Sequence, residues 1–184
     1  MGILNVTPDS FADGGKHFTF EHAVQRGLEM IEEGVDIIDI GGESTRPGAE
    51  RVSAEEEQRR VIPVIKALVG KGAEISIDTM RASTAKLAVE AGATIVNDVS
   101  GGAADEEMFS TVAQLRCNYT LMHWRGHSKE MNSLAKYGDV VEDVINEVTI
   151  QLDKALAAGI AREKIILDPG LGFAKDAEHN WEIL

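Results

Sequence analysis

A chain of 184 residues is a little over one average domain, so one domain, or one incomplete larger one, is expected. With 43% apolar residues, 27% charged, 18 Gly and 4 Pro, the composition is that of a globular chain able to build a large core, which excludes disordered and collagen-like classes. The 18 basic and 31 acidic residues leave a net charge of −13, which argues against a nucleic-acid backbone or an anionic membrane as main partner, and any anion site must build its own positive field.

The predicted elements alternate. Short β-branched runs lead into stretches of helical period: Gly2 to Val6 then 20 to 33, Val35 to Ile40 then 54 to 69, Glu74 to Ile77 then 83 to 91, and Thr94 to Val96 then 105 to 116. Two more units follow, Asn118 to Met122 with a helix over 139 to 158, and Lys164 to Leu167 with a loop and a helix starting near His179. Val35 to Ile40 and Lys164 to Leu167 read as strands buried on both faces, which marks a parallel sheet covered by helices. Helices running into Gly34, Gly70, Gly92 and Gly159 are expected to end in left-handed caps. Pro63 is expected to delay or kink the second helix, because proline lacks a backbone donor. Glu55-Glu56-Glu57, near that helix's start, reads as a solvated face favoured by the helix dipole.

Polar and special residues collect just after each strand: Asn5 to Ser10, Gly41 to Gly48, Asp78-Thr79, Asn97-Asp98, His123 to Gly126 and Asp168 to Phe173. In a parallel α/β barrel these positions share one rim, where functional residues gather. An open doubly wound sheet is the rival, but no GxGxxG follows the first strand. The expected class is therefore α/β, a TIM (β/α)8 barrel of which residues 1–184, as a single domain, carry about the first six units.

Lone Cys117 cannot form an internal disulfide and reads as a small buried hydrophobe; with no CxxC, no signal-peptide pattern and no long apolar run, a cytoplasmic location is expected. His123 and His127 are four apart, but Gly126 makes this a loop and no third ligand is evident, so a metal site is not expected there. Trp124 and Trp181 receive no role.

The segments Asn5-Val6-Thr7-Pro8-Asp9-Ser10-Phe11 with Asp13-Gly14-Gly15, Gly41-Gly42-Glu43-Ser44-Thr45-Arg46-Pro47-Gly48, Asn97-Asp98 and Leu167-Asp168-Pro169-Gly170 resemble, in order and over the whole chain, the signature segments of the dihydropteroate synthase family. The resemblance implies a TIM barrel that condenses 6-hydroxymethyl-7,8-dihydropterin diphosphate with 4-aminobenzoate, releasing pyrophosphate and forming 7,8-dihydropteroate, with sulfonamides as competitors. It also implies a homodimer.

A dihydropterin presents N–H donors beside a carbonyl, so its pocket needs carboxylates and an amide; Asp78, Asn97 and Asp168 supply that set at three strand ends. Each has a plainer reading: Asp78 as a helix cap, Asn97 as a turn residue, Asp168 as a strand end. Met122 and Phe173 are, by the resemblance, walls for the ring, although either could be core. The family uses the position of Asn5 for Mg²⁺, and an amide oxygen suits that hard cation. Thr45 is placed near the diphosphate, and Arg46 with Asp9, Phe11 and Asp13 in loops that meet the second substrate. Asp13 and Arg46 are the expected catalytic residues, Asp13 near a developing positive carbon.

A complete barrel of this kind needs eight units, typically about 250 residues. The family's Ser-Arg-Lys and Arg-x-His segments after strands seven and eight have no counterpart here, so an incomplete barrel is expected, unstable or inactive alone. Its diphosphate would be offset by Arg46 and Lys175. Two alternatives stay open, a pterin-binding methyltransferase domain serving a corrinoid protein and a non-catalytic pterin-binding paralogue.

Overall fold

The computed structural model describes residues 1–7, 20–43, 51–127 and 130–184. Each predicted apolar run forms a strand: β1 (Gly2–Asn5), β2 (Ile37–Gly41), β3 (Glu74–Asp78), β4 (Ile95–Asp98), β5 (Asn118–Met122) and β6 (Ile165–Asp168). Each strand pairs in parallel with the next, giving one sheet in chain order. That order never reverses, so the winding is that of a β/α barrel and not of a doubly wound sheet. The helices are α1 (Phe20–Glu32), α2 (Ala54–Leu68), α3 (Ala82–Glu90), α4 (Met108–Leu115), α5 (Val140–Ala157) and α6 (Ala177–Ile183).

Strand periodicity sorts the side chains into two faces. One register row runs Leu4, Ile40, Ile77, Val96, Tyr119 and Ile165. All six belong to or pack against the hydrophobic core that also takes Val61, Val64, Ile65 and Leu68 from α2 and Val144 and Val148 from α5. Burying each such side chain is worth about 1.5–3 kcal/mol, so this row fixes the register. Moving up by one residue turns the side chains to the other face, along Asn5, Gly41, Asp78, Asn97, Thr120 and Ile166.

The four expected glycine caps all have positive φ. The second helix is not delayed by its proline. It starts at Ala54, where Ser53 accepts a hydrogen bond from the Glu56 amide, and continues through Pro63. Pro63 lies on the exposed side, where water can satisfy the carbonyl that proline leaves without a donor. The acidic run is also corrected, because Glu57 points inward and is 1% exposed. Cys117 is buried as expected, and burial pushes its thiol pKa up. Among the described residues no helix is long and apolar enough to cross a membrane.

Candidate active site

The inner row gathers polar side chains at the strand ends. A Cβ added at Gly41 would lie 3.2 Å from Asp78 Oδ2 and 3.6 Å from Asn5 Oδ1, so the glycine lets an amide and a carboxylate close in from the two neighbouring strands. Asn97 is the next residue of the row after Asp78, and its Nδ2 donates to Asp39 Oδ2 at 2.9 Å. The plainer readings of these two residues fail. The amide of Ala82, which opens α3, is held by Asp105 and not by Asp78, and Asn97 sits within β4. Met122 and Asp168 face each other across β5 and β6. Met122 is buried, and Asp168 turns one carboxylate oxygen back to the Gly170 amide at 2.7 Å, so its strand-ending role is real as well. Phe173 is half-buried in the loop that follows.

Asp39 was not among the expected site residues. It lies mid-strand, 4% exposed, and its Oδ1, like Ser76 Oγ beside it in register, is buried without a hydrogen-bond partner among the described residues. Burial raises its pKa, against the pull of the neighbouring Ser76 hydroxyl and the Asn97 amide. Asp78 is raised well above the usual carboxylate range, first by burial and then by the Asp39 charge. Two carboxyl groups in one poorly solvated place cannot both ionise cheaply, so the pair tends to hold a proton. Asp98, adjacent to Asn97 but on the opposite face, does different work: it accepts from Ser100, the Gly102 amide and the Tyr119 hydroxyl, tying the loop after β4 to the core.

A second acidic cluster stands behind the rim. Glu57 accepts from Thr79 Oγ1, Thr84 Oγ1 and Arg81 Nη1 at 2.7–2.9 Å. Arg81 also donates to Glu43 Oε2 and to the Val52 carbonyl, while Glu43 accepts from Arg51 and the Val52 amide. Glu43 precedes residues 44–50 and Val52 follows them, so Arg81 staples the two flanks of that segment. The helical spacing of Glu57 with Val61, Ile65 and Leu68 was the available signal that it shares α2's buried stripe.

Asp13, Thr45 and Arg46, with Asp9 and Phe11, fall outside the described residues. Lys175 does not offset phosphate: it is 8% exposed and bonded to His123, Gly170 and Phe173. His123 likewise is no metal ligand but a buried ring between Glu147 and Lys175. Among the described residues no group of three metal-ligating side chains occurs. Trp124 meets the His127 ring edge-on, and Trp181 is exposed.

Residues 1–184 match the family model described as "Pterin binding enzyme". The chain is 49% identical to a dihydropteroate synthase of Mycobacterium leprae, over all of this chain and 65% of that protein. The dihydropteroate synthase of Xanthomonas albilineans with 4-aminobenzoic acid superposes with a TM-score of 0.90 at 45% identity, over 99% of this chain and 64% of that one. The same enzyme in complex with 7,8-dihydropteroate gives 0.86 at 41% identity, again over 99% and 64%. The chain thus spans slightly under two thirds of the length of these relatives.

Proposed function

The chain belongs to the pterin binding enzyme family, and on that premise we propose that the protein is a dihydropteroate synthase, joining 6-hydroxymethyl-7,8-dihydropterin diphosphate to 4-aminobenzoate. The observation that carries this reading is the polar row about Gly41, where Asn5, Asp78 and Asn97 stand in one register and Asp39 orients the Asn97 amide. Carboxylate acceptors and an amide that both donates and accepts complement the donor-rich edge of a pterin. Asp168 joins them from β6, with Met122 and Phe173 as walls. A ligand's N–H groups would also supply what the Asp39 and Asp78 carboxyls lack.

In the reaction the arylamine nitrogen bonds to the pterin methylene, the C–O bond to diphosphate breaks with its electron pair leaving on oxygen, and the amine proton passes to solvent. The protein's part is to hold both reactants in line and stabilise separating charge. Thr45 and Arg46 would bind the diphosphate and the aminobenzoate carboxylate, and Asp13 would face the developing cation. The oxygen donors over Gly41 fit Mg²⁺, with Asn5 as the residue to hold it. Mg²⁺, when bound, supplies positive charge against the diphosphate. A cytoplasmic homodimer goes with this reading.

Titration of the natural full-length protein with the dihydropterin diphosphate tests it. Binding is expected, and Asp78→Ala and Asp168→Ala are each expected to abolish it; near-normal affinity in both variants contradicts the pocket.

A further inference from the structure

Lys175 is an unusual residue for its place. An ammonium buried away from water costs several kcal/mol unless its protons are met, and a methionine would fill the same volume. The protons of Lys175 are all met: Nζ lies 3.1 Å from the Gly170 carbonyl, 3.1 Å from the Phe173 carbonyl and 2.9 Å from His123 Nδ1. Two of the three acceptors belong to the loop between β6 and α6. We propose that Lys175 is a positioning residue for the pterin pocket, its ammonium clamping to the end of β5 the loop that follows Asp168 and carries Phe173.

The chain around Lys175 is shaped for this clamp. Ala174 has φ +49°, a left-handed conformation that costs a residue with a side chain about 1–2 kcal/mol, and it directly precedes Lys175. The Ala174 carbonyl accepts from the Tyr137 hydroxyl at 2.9 Å. On the β5 side, the His123 amide donates to the Asp168 carbonyl at 2.9 Å. Gly170, at φ +67°, lies so close that an added Cβ would come within 2.5 Å of the His123 carbonyl. The loop is thus pressed onto β5 at Gly170 and tied by Lys175.

The clamp also sets the state of His123. Nδ1 receives the lysine proton, so it must carry a lone pair, and the ring's own proton must sit on Nε2, which donates to Glu147 Oε2 at 2.9 Å. Glu147 in turn receives Arg125 through Nε and Nη2, and the Arg125 guanidinium lies 3.8 Å from the centre of the Tyr137 ring. Helix α5 is therefore linked through Glu147 and His123 to the loop. Burial lowers the His123 pKa, which keeps the ring neutral and able to accept.

The proposal rests on the pterin reading for its consequence but not for its geometry, and the natural full-length protein separates the two. In wild type, ¹⁵N-histidine NMR is expected to show His123 as the Nε2–H tautomer with Nδ1 accepting; an Nδ1–H tautomer overturns the clamp without any variant. Lys175→Met is expected to lose amide-exchange protection over residues 170–174 while α5 keeps its own. The same variant should raise the KM and Kd for the dihydropterin diphosphate about 10-fold or more, the scale of one mispositioned hydrogen-bonding group, with kcat largely kept at saturation. A merely destabilised protein would lower kcat through its active fraction and leave KM unchanged. Unchanged loop protection, or lost protection with unchanged pterin affinity, overturns the proposal. If the wild type binds no pterin, the functional reading falls, and the tautomer and loop protection alone decide the clamp.

Discussion

Two acidic clusters, a few residues apart in the fold, are built on opposite plans. Behind the rim, Glu43 and Glu57 are met by Arg81, with Thr79 and Thr84 completing Glu57 and Arg51 and Val52 completing Glu43. On the inner face, Asp39 and Asp78 have no cation in salt-bridge reach among the described residues, and both carboxyls are shifted upward. Buried carboxylates that serve architecture are fully partnered, whereas a binding site leaves bonding capacity for its ligand and bears the cost in the free protein. The contrast separates residues that hold the scaffold from residues that wait for substrate.

The largest effect should come from breaking the partnered cluster. Arg81→Met strands Glu57 and Glu43 in a buried place, and a loss of about 3–5 kcal/mol is expected in chemical denaturation, with the flanks of residues 44–50 released. The inner pair should respond with the opposite sign. Asp78→Asn removes an ill-solvated charge, so the melting midpoint is expected to rise, by about 2–4 °C for each 1 kcal/mol gained in a domain of this size, while pterin binding is lost. A drop in the midpoint would show that Asp78 is partnered after all.

The pH dependence of that difference follows from the sign of the shift. The folded-state pKa of Asp78 lies above its ordinary value of 3.8, so the native state holds a proton that the unfolded chain has released, and stability falls as pH rises through that window. The advantage of Asp78→Asn over wild type is therefore expected to grow as the pH rises from 4 and to shrink as it is lowered towards 4. Differential scanning calorimetry of both proteins across pH 4 to 8 reads this directly. The smallest effect concerns the loop that Lys175 holds: Ala174→Gly relieves a left-handed residue and should stabilise the fold by up to about 1 kcal/mol with pterin affinity unchanged.

Strand ends were the legible part of the site. Asp78, Asn97 and Asp168 follow apolar runs directly, so a barrel reading places them on one rim without any knowledge of contacts. Asp39 was hidden because it interrupts Ile37-Ile38-Asp39-Ile40, a run that reads as buried on both faces; the inner face of the barrel is in fact polar, and the strand period puts Asp39 on the same face as Gly41. Glu57 was misread because three consecutive glutamates suggest solvent, although only the third falls on α2's buried stripe. Lys175 could not have been read at all. Its role depends on the positive φ of Ala174 and on acceptors 2, 5 and 52 residues away in sequence, none of which leaves a pattern in the chain.

The most direct test of the contrast between the two clusters is calorimetric titration of the natural full-length protein and its Asp78→Asn variant with 6-hydroxymethyl-7,8-dihydropterin diphosphate, alongside their melting midpoints. If Asp78 is held for the ligand at the expense of the fold, the variant melts higher than wild type and binds at least about 10²-fold more weakly, as when a site loses a hydrogen bond to a charged group together with its partner's pairing. A variant that binds the pterin as tightly as wild type, or that melts lower, contradicts it.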